Sequence, residues 1–168
     1  AGPFIHCAFY GGMNISENGS EEQKRALLPR LARGELLFAY GLSEPDVGGD
    51  LASAAVTARL TDDGRHVVVN GTKRGCTGAR IADYVYTLVR SGDGASRHEG
   101  ISFVLIDLAS PGITRRPIRN IAGDDEFCEV FLDEVRVPVA NVVGGLGAGW
   151  RVATAQGAVA LFQDNVLA

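Results

Sequence analysis

Positive charge is scarce in this chain: 16 lysines and arginines against 20 acids leave a net charge of −4 over 168 residues. Nucleic-acid binding needs clustered cations to displace counterions from phosphate, so this balance argues against such a partner. Long apolar runs are missing too. The longest are strand-sized, short of the roughly 20 residues a bilayer-spanning helix needs, and no membrane span is expected. Pro3 to Tyr10 is too short for a secretory leader and lacks its basic flank. Cysteine is limited to Cys7, Cys76 and Cys128. An odd set without metal-ligand spacing points to free thiols in a reducing compartment, so the expected location is cytoplasmic, or the mitochondrial matrix in a eukaryote. His6, His66 and His98 show no spacing that suggests a metal site. No Gly-x-Ser-x-Gly elbow or other nucleophile signature is present, and no internal repeat.

What is present reads as one packed unit, since 46% of the residues are apolar and 21% charged. Residues 1–35 are expected to be helical. Ser20 is a good N-cap, Glu21 and Glu22 sit in the first turn where the helix dipole favours them, and Leu27, Leu28 and Leu31 share a face. Pro29 predicts a kink or early stop, and Gly34 a C-terminal stop. The texture then changes. Residues 54–60 and 66–69 flank Asp62-Asp63-Gly64 and read as a hairpin. Further strands are expected at 36–42, 84–89, 101–106 and 128–137, the third of these buried on both faces. Short strands separated by turn signals imply a mainly β fold, an antiparallel barrel or sandwich with short helical flanks. A glycine-rich connector, Gly144 to Gly149, precedes an expected helix from Trp150 to Ala168. The expected organisation is a helical tail over 1–35, a β domain over 36–140 and the start of another helical region over 141–168. Helices at each end without partner helices suggest a piece of something larger.

Three blocks carry chemistry. In Tyr40 to Asp50, Pro45 pushes Glu44 into an extended conformation, and Gly48-Gly49 lets backbone approach a ligand. Free N–H groups in such a loop suit phosphate, although spacing alone favours a plain turn. In Asn70 to Ala79, Asn70-Gly71 is a turn signal, and Arg74 is either solvated or reaches a ligand. The third block runs from Phe127 to Gly144 through Glu134-Val135-Arg136-Val137-Pro138. It reads as a structural strand and exit turn. Arg115, Arg116 and Arg119 form a small basic group, either a solvated edge or an anion contact.

In this order the blocks resemble the middle domain of the flavin-dependent acyl-CoA dehydrogenases. The likeness covers about residues 17 to 153. The family patterns are Y-x-x-T/S-E-P-x-x-G-S-D, N-G-x-K-x-W/F-x-T/S and F-x-D/E-V-x-V-P-x-x-N-x-x-G. The resemblance implies FAD as cofactor, with Tyr40, Leu42, Ser43, Gly48, Gly49, Gly75, Cys76 and Thr77 at its contact positions. Gly49 and Ser96 fall where members contact substrate. Gly49 stands where the family has Ser, and Gly75 where it has an aromatic ring. Losing an indole there would remove contact worth on the order of 2–3 kcal/mol if fully buried.

The chemistry implied is α,β-dehydrogenation of an acyl-CoA thioester. A carboxylate removes the α-proton while the β-hydrogen leaves as hydride. The family's base is a Glu in a C-terminal helical domain, so no residue of this chain is assigned as base, Glu44 and Asp50 included. The partners implied are an acyl-CoA, an electron-transfer flavoprotein as acceptor, and further subunits in the full-length form. The reading is therefore a dehydrogenase fragment inactive alone. The alternative is a non-catalytic binding or assembly subunit with a weakened flavin site, which Gly75 and Gly49 favour. A third reading is a flavin- and oxygen-using relative such as a hydroxylase.

Overall fold

The computed structural model describes residues 11–92 and 96–154. The expected helix beyond Thr154, and residues 1–10 with Cys7 and His6, lie outside the described residues. Helix α1 is Gly11–Asn18 and helix α2 is Glu21–Ala32. Ser20 caps α2 in a full capping box: its hydroxyl accepts from Gln23 N, and Gln23 Oε1 accepts from Ser20 N. The Gln23 amide also donates to the carbonyls of Ala140 at 2.7 Å and Val142 at 3.1 Å, which pins α2 to the exit of the sheet. Pro29 does not end the helix. It continues to Ala32, losing only the backbone bond that a ring nitrogen cannot donate. Gly34, with φ +71°, marks the stop as expected.

The strands are β1 (Phe38–Tyr40), β2 (Thr57–Leu60), β3 (His66–Thr77), β4 (Tyr84–Arg90), β5 (Ile101–Asp107), β6 (Ile113–Ile118), β7 (Phe127–Pro138) and β8 (Val142–Val143). They form one sheet in the order β6-β7-β3-β1-β4-β5-β8, with β2 pairing both β3 and β4. Most pairs are antiparallel, as the sequence implies. Two are not: β1 and β2 each run parallel to β4. The registers explain this. Tyr40 lies opposite both Thr77 and Tyr86, and Thr57 opposite both Asn70 and Arg90. Strands β1 and β2 therefore follow one another along a single seam between β3 and β4. Between them the chain leaves the sheet from Gly41 to Val56 and returns to the same seam.

The Asp63-Gly64 hairpin forms as read, Leu60 facing Val67. Asn70-Gly71 does not turn the chain. It lies inside β3 at one of two register shifts against β7, between Val69 and Gly71; the other falls between Lys73 and Cys76. Three steps on β7, from Leu132 to Val135, oppose two on β3, so Asn70-Gly71 lies across from a bulge, where the strand calls on the residue types of a turn and the local signal misleads. The Asn70 side chain clamps the partner strand, donating to Glu134 Oε1 at 2.6 Å and accepting from Glu134 N at 2.8 Å. Glu134 has φ 50° and is the non-glycine residue with positive φ among those described.

Alternation along the strands sends side chains to two cores. Ala39, Val85, Val89, Val104 and Ile106 join Val67, Val69, Val130, Val135 and Val137 on one face. Phe38, Tyr86, Leu88, Phe103 and Leu105 pack on the other against Ile15 of α1 and Val152. Strand β5 is buried on both faces, as its unbroken apolar run predicts, and so is β4. A short helix α3, Gly149–Thr154, docks on β5. A Cβ at Gly149 would lie 2.4 Å from the Ser102 carbonyl carbon, so only glycine permits that approach. Short β8 follows a 3-10 turn over Val139–Asn141.

Leu88 is fully buried where helix and sheet meet. Leu88→Ala is expected to lower unfolding free energy by about 2–5 kcal/mol in urea titration. A change within error would show that the helical layer does not share a core with the sheet.

Candidate functional site

The excursion from Gly41 to Val56 carries the first motif block, and β3 beneath it carries the second. Opening a sheet between two strands strands backbone groups in its interior, where each needs a partner. Near β1 the seam is closed by Gly41 N donating to Tyr86 O at 3.2 Å, and by the Thr87 hydroxyl donating to Gly41 O. Further on, Arg74 N donates to Ser43 O at 2.9 Å, and Arg90 N to Val56 O at 2.7 Å. Between these points lies a buried ion pair. Lys73 Nζ sits 2.8 Å from Glu44 Oε1, with side chains 1% and 6% exposed. The ammonium also donates to Leu42 O at 3.3 Å. The carboxylate accepts from Ala55 N at 2.8 Å and Val56 N at 3.1 Å. Desolvation pushes Lys73 below the usual lysine range, opposed by the Glu44 charge.

Sequence reasoning assigned this pair no role. A signal existed: Lys73 is the one cation of β3 on its buried side, and Glu44 precedes a proline that fixes it extended.

The anticipated site residues divide by the direction they face. Ser43, Gly48, Gly49 and Gly75 are exposed, and Tyr40 and Thr77 are half-buried at the facing ends of β1 and β3. Tyr40 packs edge-on against Tyr86, ring centroids 5.0 Å apart. Leu42 and Cys76 point inward, at 2% and 0% exposure, so they offer a ligand only backbone. Cys76 lies opposite Cys128 across β3 and β7, both as free thiols. Burial pushes the Cys76 thiol up from 9.0 to about 12.

Ser96 is exposed, and its turn is fastened to the first block. Arg97 beside it donates to Asp50 and Ser53, and the Asp50 carboxylate is held below the usual range by the Ser53 hydroxyl first and Arg97 second. Gly49 and Ser96, separate in sequence, thus belong to turns joined by one guanidinium.

Glycine makes the outer face of this seam a cradle. A Cβ at Gly48, Gly49 or Gly75 would meet no heavy atom within 4 Å, whereas at Gly41 it would strike Val85 at 2.7 Å. Gly75 lies in the second bulge with φ +70°. An aromatic residue there would therefore meet backbone strain of roughly 1–2 kcal/mol in addition to filling space. Concavities of about 270, 320 and 380 Å³ lie elsewhere, the first lined by Arg80, Ile81 and the acids 124–126. The basic group is engaged with protein. Arg115 donates to Ala79 O, Arg116 lies over the Phe131 ring, and Arg119 donates to Gly123 O. Arg74 is exposed and lies 3.8 Å from Glu129. No helix among the described residues is long and apolar enough to cross a membrane.

Residues 39–135 match the family model described as acyl-CoA dehydrogenase, middle domain. The chain is 44% identical over 144 residues to acyl-CoA dehydrogenase IpdE1 of Mycobacterium tuberculosis, covering 86% of this chain and 37% of that protein. It therefore spans little more than a third of that relative's length. A chain of the ChsE4-ChsE5 complex from Mycobacterium tuberculosis superposes with a TM-score of 0.82 at 39% identity, over 92% of this chain and 39% of that one. An acyl-CoA dehydrogenase complexed with FAD from Bacillus anthracis superposes with a TM-score of 0.75 at 32% identity, over 84% of this chain and 24% of that one.

Removing one member of the buried pair strands the other. Glu44→Gln and Lys73→Met are each expected to cost about 3–5 kcal/mol, and the double variant less than their sum. Additive losses in urea unfolding would show no coupling. For Cys76, the folded state holds a proton that the unfolded state releases, because its value is raised from 9.0 to about 12. Its contribution is fully present below pH 9 and is lost as pH rises towards 12. Alkylation of Cys76 at about pH 8, read by mass spectrometry, should be at least about tenfold slower in native protein than in urea; equal rates would contradict its burial.

Proposed function

The chain belongs to the acyl-CoA dehydrogenase family, and on that premise we propose that it is the flavin- and thioester-facing β part of an FAD-dependent enzyme that desaturates an acyl-CoA. The observation that carries this reading is the open seam. Exposed Ser43, half-buried Thr77 and three unobstructed glycines lie along adjoining segments, on a face whose interior is closed by the Lys73–Glu44 pair. These residues fit a flat, hydrogen-bonding, pyrophosphate-bearing group. Ser43 and Thr77 would present hydroxyls to its ring, and Gly48 and Gly49 backbone N–H groups to its phosphates. Tyr40, Leu42, Gly75 and Cys76 would contribute backbone and contact surface. Gly49 and Ser96 would face the thioester. When bound, FAD supplies the hydride acceptor.

Two carboxylates of the first block are committed elsewhere, Glu44 to Lys73 and Asp50 to Ser53 and Arg97. We therefore place turnover in the whole protein, with the base contributed by its helical part and an electron-transfer flavoprotein as acceptor. The full-length form is proposed to be oligomeric and cytoplasmic. A second reading, a non-catalytic subunit with a weakened flavin site, is favoured by Gly75 and Gly49, which place no side chain on the cradle.

FAD titration of the purified chain, followed by flavin fluorescence, tests the first reading. Saturable binding is expected. Ser43→Ala and Thr77→Val should each weaken it by about 2–10-fold, the worth of one hydrogen bond. A folded chain that ignores FAD would support the second reading. The 168-residue chain alone is expected to give no acyl-CoA-dependent dye reduction; reproducible turnover would overturn the assignment of the base.

A further inference from the structure

Arg90 ends β4 where two turns meet. Its Nη1 donates to the carbonyls of Arg97 at 3.2 Å and Glu99 at 3.0 Å. Its Nη2 donates to the carbonyls of Ala52 at 2.7 Å and Ala54 at 3.4 Å. Among the described residues no carboxylate pairs with this guanidinium, whose charge is met by carbonyl dipoles from both turns. The Arg97 side chain, on Asp50 and Ser53, adds a second tie between the same two turns. The two carbonyls held by Nη1 flank His98, and the His98 ring packs on Trp150 of α3, centroids 4.2 Å apart.

We propose that Arg90 is a positioning residue that fixes the turns carrying Gly49 and Ser96 as one rigid edge and presents His98 to Trp150, so that a CoA thioester meets a preformed surface. The proposal rests on the reading of Gly49 and Ser96 as thioester contacts. A planar fork of N–H donors is suited to the task, because it bonds carbonyls on two sides at once with little rotamer freedom left to lose. A lysine, as a point donor, cannot span both turns. Ordering the edge before binding removes that entropy from the cost of association.

Trp150 is the chain's single tryptophan and reports on the edge through His98. The chain and its variants are titrated with butyryl-CoA, with acrylamide quenching of Trp150 and FAD binding measured in parallel. Arg90→Gln is expected to make Trp150 more quenchable and to weaken butyryl-CoA binding by about tenfold. FAD affinity should be unchanged, and Arg90→Lys should not rescue. A folded Arg90→Gln with wild-type quenching and wild-type thioester affinity overturns the proposal. Should that variant not fold, Arg97→Gln removes the second tie from exposed positions and carries the same test: unchanged quenching and affinity overturn the single rigid edge, and increased quenching with weakened butyryl-CoA binding supports it. If wild type binds no butyryl-CoA while Arg90→Gln still frees Trp150, the positioning of His98 stands and the thioester reading falls.

Discussion

Lys73 and Glu44 make the exposed seam possible. A sheet that opens between β1 and β2 leaves the carbonyl of Leu42 and the amides of Ala55 and Val56 without ladder partners. One ammonium and one carboxylate meet all three groups and each other. Apolar side chains of similar volume would pack in the same space and leave those groups unmet. Buried ion pairs often add little net stability because desolvation offsets attraction. Here the pair's contribution is to let the backbone leave the sheet and come back.

What leaves the sheet is the first motif block. The second lies on β3 beneath it, so the pair that closes the interior also sets the two blocks side by side. Ser43 accepts a backbone bond from Arg74, one residue from Gly75, and Tyr40 faces Thr77. Loop residues held this way are exposed and yet ordered by strand registers on both sides. The turn carrying Ser96 is tied to the far end of the same excursion through Arg90 and Arg97. The edge is thus built from three segments distant in sequence.

Much of the fold was legible. β-prone runs gave β4 and β7, an unbroken apolar run gave β5 as doubly buried, and Ser20 with its acids gave the start of α2. Misreadings share a cause: a local signal with two structural solutions. Asn70-Gly71 fits a turn or a bulge, and only the pairing of β3 with β7 decides between them. Pro29 ends an isolated helix, but α2 is anchored by Gln23 and by leucines packed on the second core. The exposed strand β6 carried no alternation to read. Within the site, glycine spacing pointed to the loop that leaves the sheet and to the bulge beneath it. The inward turn of Leu42 and Cys76, the partner of Glu44 and the reach of Arg90 depend on strand parity and long-range register, which no single stretch encodes.

The two bulges between β3 and β7 fix the length of β3. The first adds its residue on β7 and leaves Val67, Val69 and Lys73 in step, while the second adds its residue on β3 and turns Cys76 inward three positions after Lys73. Deleting one residue between His66 and Lys73 would turn the positions that follow it to the opposite face, exchanging Lys73 for a neighbour and breaking the seam. The hairpin turn at Thr61 to Arg65 has no such accounting, since nothing beyond it depends on its count. An insertion is therefore expected to be accommodated in the turn and to disrupt the strand a few residues away.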